Sequence, residues 1–269
     1  MESGAAAAAK SISSGSSRLF ALAQQLRVYK PPLKAEESTG KVVSPVGFQA
    51  SMSPAKKAAV LICLFEGDDG DLRVILTKRS SGLSTHSGEV SLPGGKAEED
   101  DKDDGVTATR EAEEEIGLHP SLVDVVAFLE PFLSQHLLRV IPVVGILWDR
   151  KAFSPTPNPA EVEAVFDAPL EMFLKDENRR SVEIEWMGKR HLLHFFDYST
   201  GDQDYVIWGL TSRILIRAAS VVYQRPPAFI EGKPKLKYSR MLKVLSSCFG
   251  LSGRSLEMFL FGHVPGQHA

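Results

Sequence analysis

Residues 110–118 read Arg-Glu-Ala-Glu-Glu-Glu-Ile-Gly-Leu and begin fifteen residues beyond Gly95. The spacing predicts a helix over 105–116. At 3.6 residues per turn, Glu111, Glu114 and Glu115 then stand at i, i+3 and i+4 and share one carboxylate face. Glu113 points roughly the other way, to solvent. Ala108, Ala112 and Ile116 form a neighbouring apolar stripe that presses the helix onto a core. Asp103 or Asp104 suits the start of the helix, and Gly117 suits a left-handed stop. Three carboxylates on one face repel each other, and a hard cation such as Mg2+ or Mn2+ relieves that repulsion. A lone Glu-rich stretch is also what a solvated helix looks like, so the flanking residues decide.

Pro93-Gly94-Gly95 precedes the helix, Arg110 adjoins Glu111, and Gly117-Leu118 closes it. Together these residues resemble the Nudix box, the loop–helix–loop of hydrolases that cleave diphosphates joined to another moiety. The resemblance implies an α/β/α sandwich, a mixed sheet with flanking helices. It also implies metal ligation by Glu111, Glu114 and Glu115, with Mg2+ or Mn2+ as the ion. Arg110 would orient Glu111 through a charge-assisted hydrogen bond. One departure stands out. The usual box runs glycine, five residues, glutamate, seven residues, Arg-Glu. Counting from Gly95 reaches Asp101, whereas counting back from Arg110 reaches Lys102. The loop is one residue longer, and the first acid of the box stays open between Asp101 and Asp103.

Residues 75–96 sharpen the resemblance. Thr77-Lys78-Arg79-Ser80, His86-Ser87-Gly88 and Pro93-Gly94-Gly95-Lys96 are similar to the segment that marks the coenzyme A-type Nudix hydrolases. The likeness continues through Pro157–Val162 and Ile207–Thr211, covers roughly residues 57 to 230, and is strongest to plant mitochondrial-type members. It implies cleavage of coenzyme A or acyl-coenzyme A to 3′,5′-ADP and 4′-phosphopantetheine or its acyl form. Rival readings are another Nudix substrate, such as ADP-ribose, a dinucleotide or an oxidised nucleotide, and an inactive metal-binding regulatory module. The partner is a small molecule, with no nucleic acid and room for a homodimer.

The formal net charge is −3, so affinity for a multiply charged anion must come from local cations and metal. Lys78 and Arg79 are candidate phosphate contacts, or else a solubilising strand-edge pair. His86 either touches substrate or caps a loop. Gly94 and Gly95 let the backbone pass close to a ligand, or simply turn. The general base is a box glutamate or an acid from another loop. Glu161 is the candidate, although a Pro-rich loop also turns an acid to water.

The composition is that of a globular chain: 43% hydrophobic and 24% charged, with no apolar run near the ~20 residues of a membrane span. Cys63 and Cys248 are too far apart for a metal spacing, and Cys63 lies in an apolar, strand-like run. Four segments follow. Residues 1–16 form an Ala/Ser/Gly-rich leader expected to be disordered. Residues 17–56 hold a helix over Ser17–Tyr29, with Leu19, Ala21, Leu22 and Leu26 at helical spacings, and then a linker. Residues 57–230 form the hydrolase domain. Residues 231–269 form an extension with a basic stretch, Lys233 to Lys243, followed by an apolar one. The leader has no arginine before Arg18, so a cytosolic location is expected, with the mitochondrion as the alternative.

Ala58–Phe65 and Leu72–Thr77 are expected to form a hairpin around Gly67-Asp68-Asp69-Gly70, with further strands at Val123–Leu129 and Val140–Leu147. A second hairpin is expected over Glu183–Phe196, turning at Gly188. A strand running into a helix is expected over Tyr205–Val222. Val162–Leu174 reads as mixed, with Pro169 interrupting any long helix.

Overall fold

A computed structural model describes residues 16–32, 57–134, 138–186, 189–201 and 203–231. The leader, the linker, most of the C-terminal extension with Cys248, and the Gly188 turn lie outside these residues.

The first described element is helix α1, Ser17–Arg27, capped by the Ser16 hydroxyl. Strands β1 (Lys57–Glu66) and β2 (Leu72–Arg79) form the expected antiparallel hairpin. Short strands β3 (Val90–Ser91) and β4 (Gly94–Lys96) lead to helix α2, Asp104–Ile116. Strands β5 (Val123–Phe128), β6 (Phe132–Leu133), β7 (Arg139–Leu147) and β8 (Val162–Pro169) complete an eight-stranded sheet. Its main path is β3-β2-β1-β7-β5; β4 pairs with β1, β6 with β7 and β8 with β2. The β1–β7 pair is parallel and its neighbours are antiparallel, which makes the sheet mixed. Strands β9 (Arg179–Trp186), β10 (Lys189–Thr200) and β11 (Gln203–Trp208) form a separate antiparallel sheet, followed by helix α3, Gly209–Tyr223.

Side chains alternate along a strand, so β1 feeds two cores. Ala59, Leu61, Cys63 and Phe65 pack with Ala108, Ala112 and Ile116 of α2. Ala58, Ile62 and Leu64 face α1, α3 and the second sheet. Helices on both faces of a mixed sheet are the architecture that the sequence implied.

The 162–174 stretch is mixed, as expected: a strand that pairs with Arg73–Arg79 of β2 up to Pro169, then a 3-10 turn, Leu170–Leu174. One expectation needs correction. In α1 the buried residues are Leu19, Ala23 and Leu26, while Ala21 is exposed. A helix buries one stripe, and docking is fixed by polar contacts beside it. Gln25 donates to the carbonyls of Val221 and Val222, Arg18 donates to the Gly70 carbonyl, and Arg27 pairs with Asp124.

α1 therefore belongs to the folded body. Leu26→Ala should cost about 2–4 kcal/mol in urea unfolding. A cost below about 0.5 kcal/mol, the level of a surface change, would mean that the helix is not docked.

Candidate active site

The site is built where β4 passes under α2. Asp103 caps α2 by accepting from the Val106 amide, and Gly117 ends it in the left-handed region at φ 73°. β4 lies along Ala58–Val60 of β1, which brings Gly94 and Gly95 against the helix. The Gly94 amide donates to Glu115 Oε2 at 3.1 Å. A Cβ on Gly95 would lie 2.4 Å from the Glu111 carboxylate. A Cβ on Gly94, at φ 149°, would collide with the β1 backbone. Gly94 must be glycine because two backbones meet there, whereas a side chain at Gly95 would have to displace the Glu111 carboxylate.

The three glutamates do not share one face equally. Glu115 is 3% exposed, Glu111 is half-buried and Glu114 is exposed. At about 100° per residue, Glu111 and Glu115 are separated by only about 40° and both lean to β4, whereas Glu114 lies about 100° from Glu115. Glu114 instead binds Arg110 Nη1 at 3.1 and 3.2 Å. Glu115, expected to face solvent and metal, is thus a core-side carboxylate. Glu113 is exposed, as expected.

Arg110 ties the box together. Its guanidinium donates to Asp101, Glu111 and Glu114 and to the Lys96 carbonyl, each at 3.1 to 3.2 Å. Asp101 also accepts from the Glu98 amide and the Thr107 hydroxyl, both at 2.9 Å. The acid counted from Gly95, Asp101, meets the arginine, while Asp103 is the helix cap. The additional residue is taken up between Asp101 and the helix.

The charges are crowded. Burial pushes the Glu115 carboxyl up to about 7; the Gly94 amide and Arg79 oppose this, and Glu111 and Glu161 add to it. Burial also raises Glu111, against the pull of Arg110. Arg110 holds Asp101 down at about 2.

Glu161 is exposed, and its charge acts on Glu111 and Glu115. In its loop the Thr156 and Asn158 amides donate to the Ile116 and Glu115 carbonyls, both at 2.9 Å, and the Ser80 amide donates to the Glu161 carbonyl at 2.8 Å. Its backbone therefore bridges the ends of α2 and β2. Arg79 has a buried Nε with no hydrogen-bond partner among the described residues. Lys78 lies on the adjacent position but is paired with Glu163 at 2.6 Å. Sequence reasoning did not single out Glu163; only the β2–β8 register reveals it. His86 sits in the β2–β3 loop, 3.0 Å from Glu89.

Among the described residues, no three acidic, histidine or cysteine side chains are already gathered as a metal cage. The donors still suit Mg2+, which is commonly held by one or two carboxylates plus waters and substrate phosphates. Two buried carboxylates that repel each other are such a donor pair. Clefts of about 370 and 500 Å3 lie along α1 and the end of α3 and contain none of these residues.

The NUDIX domain profile matches residues 55–194. The chain belongs to the Nudix family. It is 79% identical to Nudix hydrolase 22, chloroplastic, of Arabidopsis thaliana, over 98% of this chain and 96% of that one. Nudix hydrolase 15, mitochondrial, of the same plant is 76% identical, over 77% and 75%. The mouse peroxisomal coenzyme A diphosphatase NUDT7 is 38% identical, over 69% and 78%. A Nudix hydrolase acts on diphosphate bonds, and the chain is a hydrolase of that family. The relatives' names give the cytosolic expectation no support.

Asp101→Asn should destabilise the Nudix box by about 1.5–3 kcal/mol, since it weakens a charged hydrogen-bond cluster. The native carboxyl ionises at about 2, below its usual 3.8. The contact thus stabilises the fold fully above the usual value and loses its effect as pH falls through the lower one. Unfolding should show a constant gap between wild type and variant from about pH 7 to 5, closing toward about pH 2. A gap that widens in acid would contradict this.

Proposed function

We propose that this chain hydrolyses the diphosphate of coenzyme A and its thioesters, releasing 3′,5′-ADP and 4′-phosphopantetheine or the acyl form. The observation that carries the reading is the Arg79 guanidinium, which reaches the glutamate cluster with an unpartnered buried nitrogen from within the coenzyme A-like 75–96 stretch. An arginine in that state suits a phosphate oxygen, because its planar fork binds oxyanions in pairs. The coenzyme A diphosphatase among the relatives points the same way.

In this reading Glu111 and Glu115 would hold Mg2+ or Mn2+, with Glu114, bound to Arg110 here, as a further candidate ligand. The cation supplies charge neutralisation for the diphosphate and acidifies water. Arg110 fixes the Glu111 carboxylate by its 3.1 Å bond. Glu161 takes the proton of the attacking water, and its charge already reaches both ligands. Arg79 and Lys78 bind phosphate, with Lys78 giving up Glu163 to do so. Gly94 and Gly95 give the backbone room to approach. The negative net charge needs no global field for this, since every cation invoked is local.

Glu115→Gln keeps the shape and the acceptor for the Gly94 amide, so the fold should be at least as stable as wild type. Turnover should fall at least about a hundredfold. Normal turnover at saturating Mg2+ would remove Glu115 from the metal site. Coenzyme A should exceed ADP-ribose in kcat/KM by about tenfold or more, and Lys78→Ala with Arg79→Ala should narrow that ratio. A preference for ADP-ribose would refute the substrate while leaving the family intact.

For location, a plastid or mitochondrial address replaces the cytosol. A fluorescent protein fused after Ala269 should co-localise with one organelle marker, and a diffuse cytosolic signal would contradict that.

A further inference from the structure

The loop between β2 and β3 carries a second charged pair. It leaves the sheet after Arg79 and returns at once, with the Arg79 amide donating to the Glu89 carbonyl at 2.9 Å and Lys78 opposite Val90. The turn is tight: His86 has φ 55°, Gly88 has φ 72°, and the Ser87 hydroxyl donates to the Ser81 carbonyl at 2.8 Å. A left-handed histidine is uncommon and costs on the order of 1 kcal/mol, so the turn must be held by its surroundings. Within it, His86 Nδ1 lies 3.0 Å from Glu89 Oε2. The carboxylate is the sheltered partner, at 21% exposure against 46% for the imidazole. The ring therefore projects outward from a fixed anchor.

This pair stands beside the site. Arg79 exerts its charge on both His86 and Glu115. The hydrogen bond to Glu89 raises the proton affinity of His86; burial and Arg79 oppose it, and the charge of Glu89 adds to it, for a net upward shift. Lys78 of the same strand end is likewise paired, with Glu163 at 2.6 Å.

We propose that Glu89 is a positioning residue that holds His86, as a cation of fixed orientation, beside Arg79 to receive a phosphate group of the substrate. The inference rests on the hydrolase site proposed above. It does not require coenzyme A, because every nucleoside diphosphate derivative presents such an anion. His86 is charged below its folded pKa and loses that charge as pH rises through it. KM should therefore rise with pH while kcat is spared, since ground-state and transition-state phosphates are held alike.

The test is KM and kcat for coenzyme A and for ADP-ribose, across about pH 6 to 9, in the wild type, Glu89→Gln, Glu89→Asp and His86→Gln. Glu89→Gln should move the rise in KM to lower pH, so that its KM exceeds that of wild type between the two midpoints and rejoins it on the alkaline side, with little change in kcat. Glu89→Asp should recover part of the shift. His86→Gln should hold KM high at every pH and lose the step. Ionisation of the substrate is common to all four proteins and drops out of the comparison. Superimposable KM profiles for wild type and Glu89→Gln, or a loss confined to kcat, would overturn the proposal. If Glu89→Gln fails to fold, His86→Gln decides: a wild-type profile there overturns the proposal equally. Turnover of ADP-ribose alone, with the KM shift, would sink coenzyme A as substrate and keep this inference. Turnover of coenzyme A with no KM shift would do the reverse.

Discussion

The site depends on two carboxylates being pressed against a strand with no room for side chains. Gly94 and Gly95 let β4 approach α2 until a backbone amide meets Glu115 and the Gly95 Cα faces Glu111. Everything else serves that approach. β1 carries β4 in register, the Ala108–Ala112–Ile116 stripe seats the helix, and Gly117 ends it where Thr156 closes in. Burying carboxylates is costly unless they are hydrogen-bonded or met by positive charge. One amide and the Arg79 and Arg110 guanidiniums supply only part of that compensation. The raised proton affinity of Glu115 expresses the remainder, and it is what a divalent cation would relieve.

Arg110 performs a different task. Five donors in a rigid fork let one side chain join the loop before α2, the end of β4 and two turns of the helix. Placing its main partner at Asp101 lets the longer loop keep the arginine where a shorter one would. Length was absorbed between the acid and the helix, where a solvated turn tolerates insertion cheaply. Glu114 is the residue left on the outside, and its bond to Arg110 is exposed and weak enough to exchange.

Much of this was legible in the chain. The period of α2, its cap residues, the β1–β2 hairpin and the strand-to-helix change at Trp208 follow from local patterns and appear as expected. Glu161 was singled out from a Pro-rich loop; it is exposed there, and its charge acts on Glu111 and Glu115. What could not be read was depth. Helical spacing places three glutamates near one another but does not say which one the sheet covers, because that depends on how far β4 approaches. The 162–174 stretch was ambiguous for a related reason: its strand character comes from pairing with β2, a contact distant in sequence. The partners of Lys78 and His86 likewise emerge from register and loop closure.

The most direct test is Gly95→Ala. The nearest atoms to the new methyl would be those of the Glu111 carboxylate, the far end of a flexible side chain, and Gly95 needs no left-handed backbone. The fold can therefore accept the change by swinging that carboxylate away. The account predicts a melting temperature within a few degrees of wild type, together with a loss of Mg2+-dependent turnover of about a hundredfold or more. Full turnover in a stable Gly95→Ala protein would contradict the claim that this close contact between β4 and α2 forms the active site.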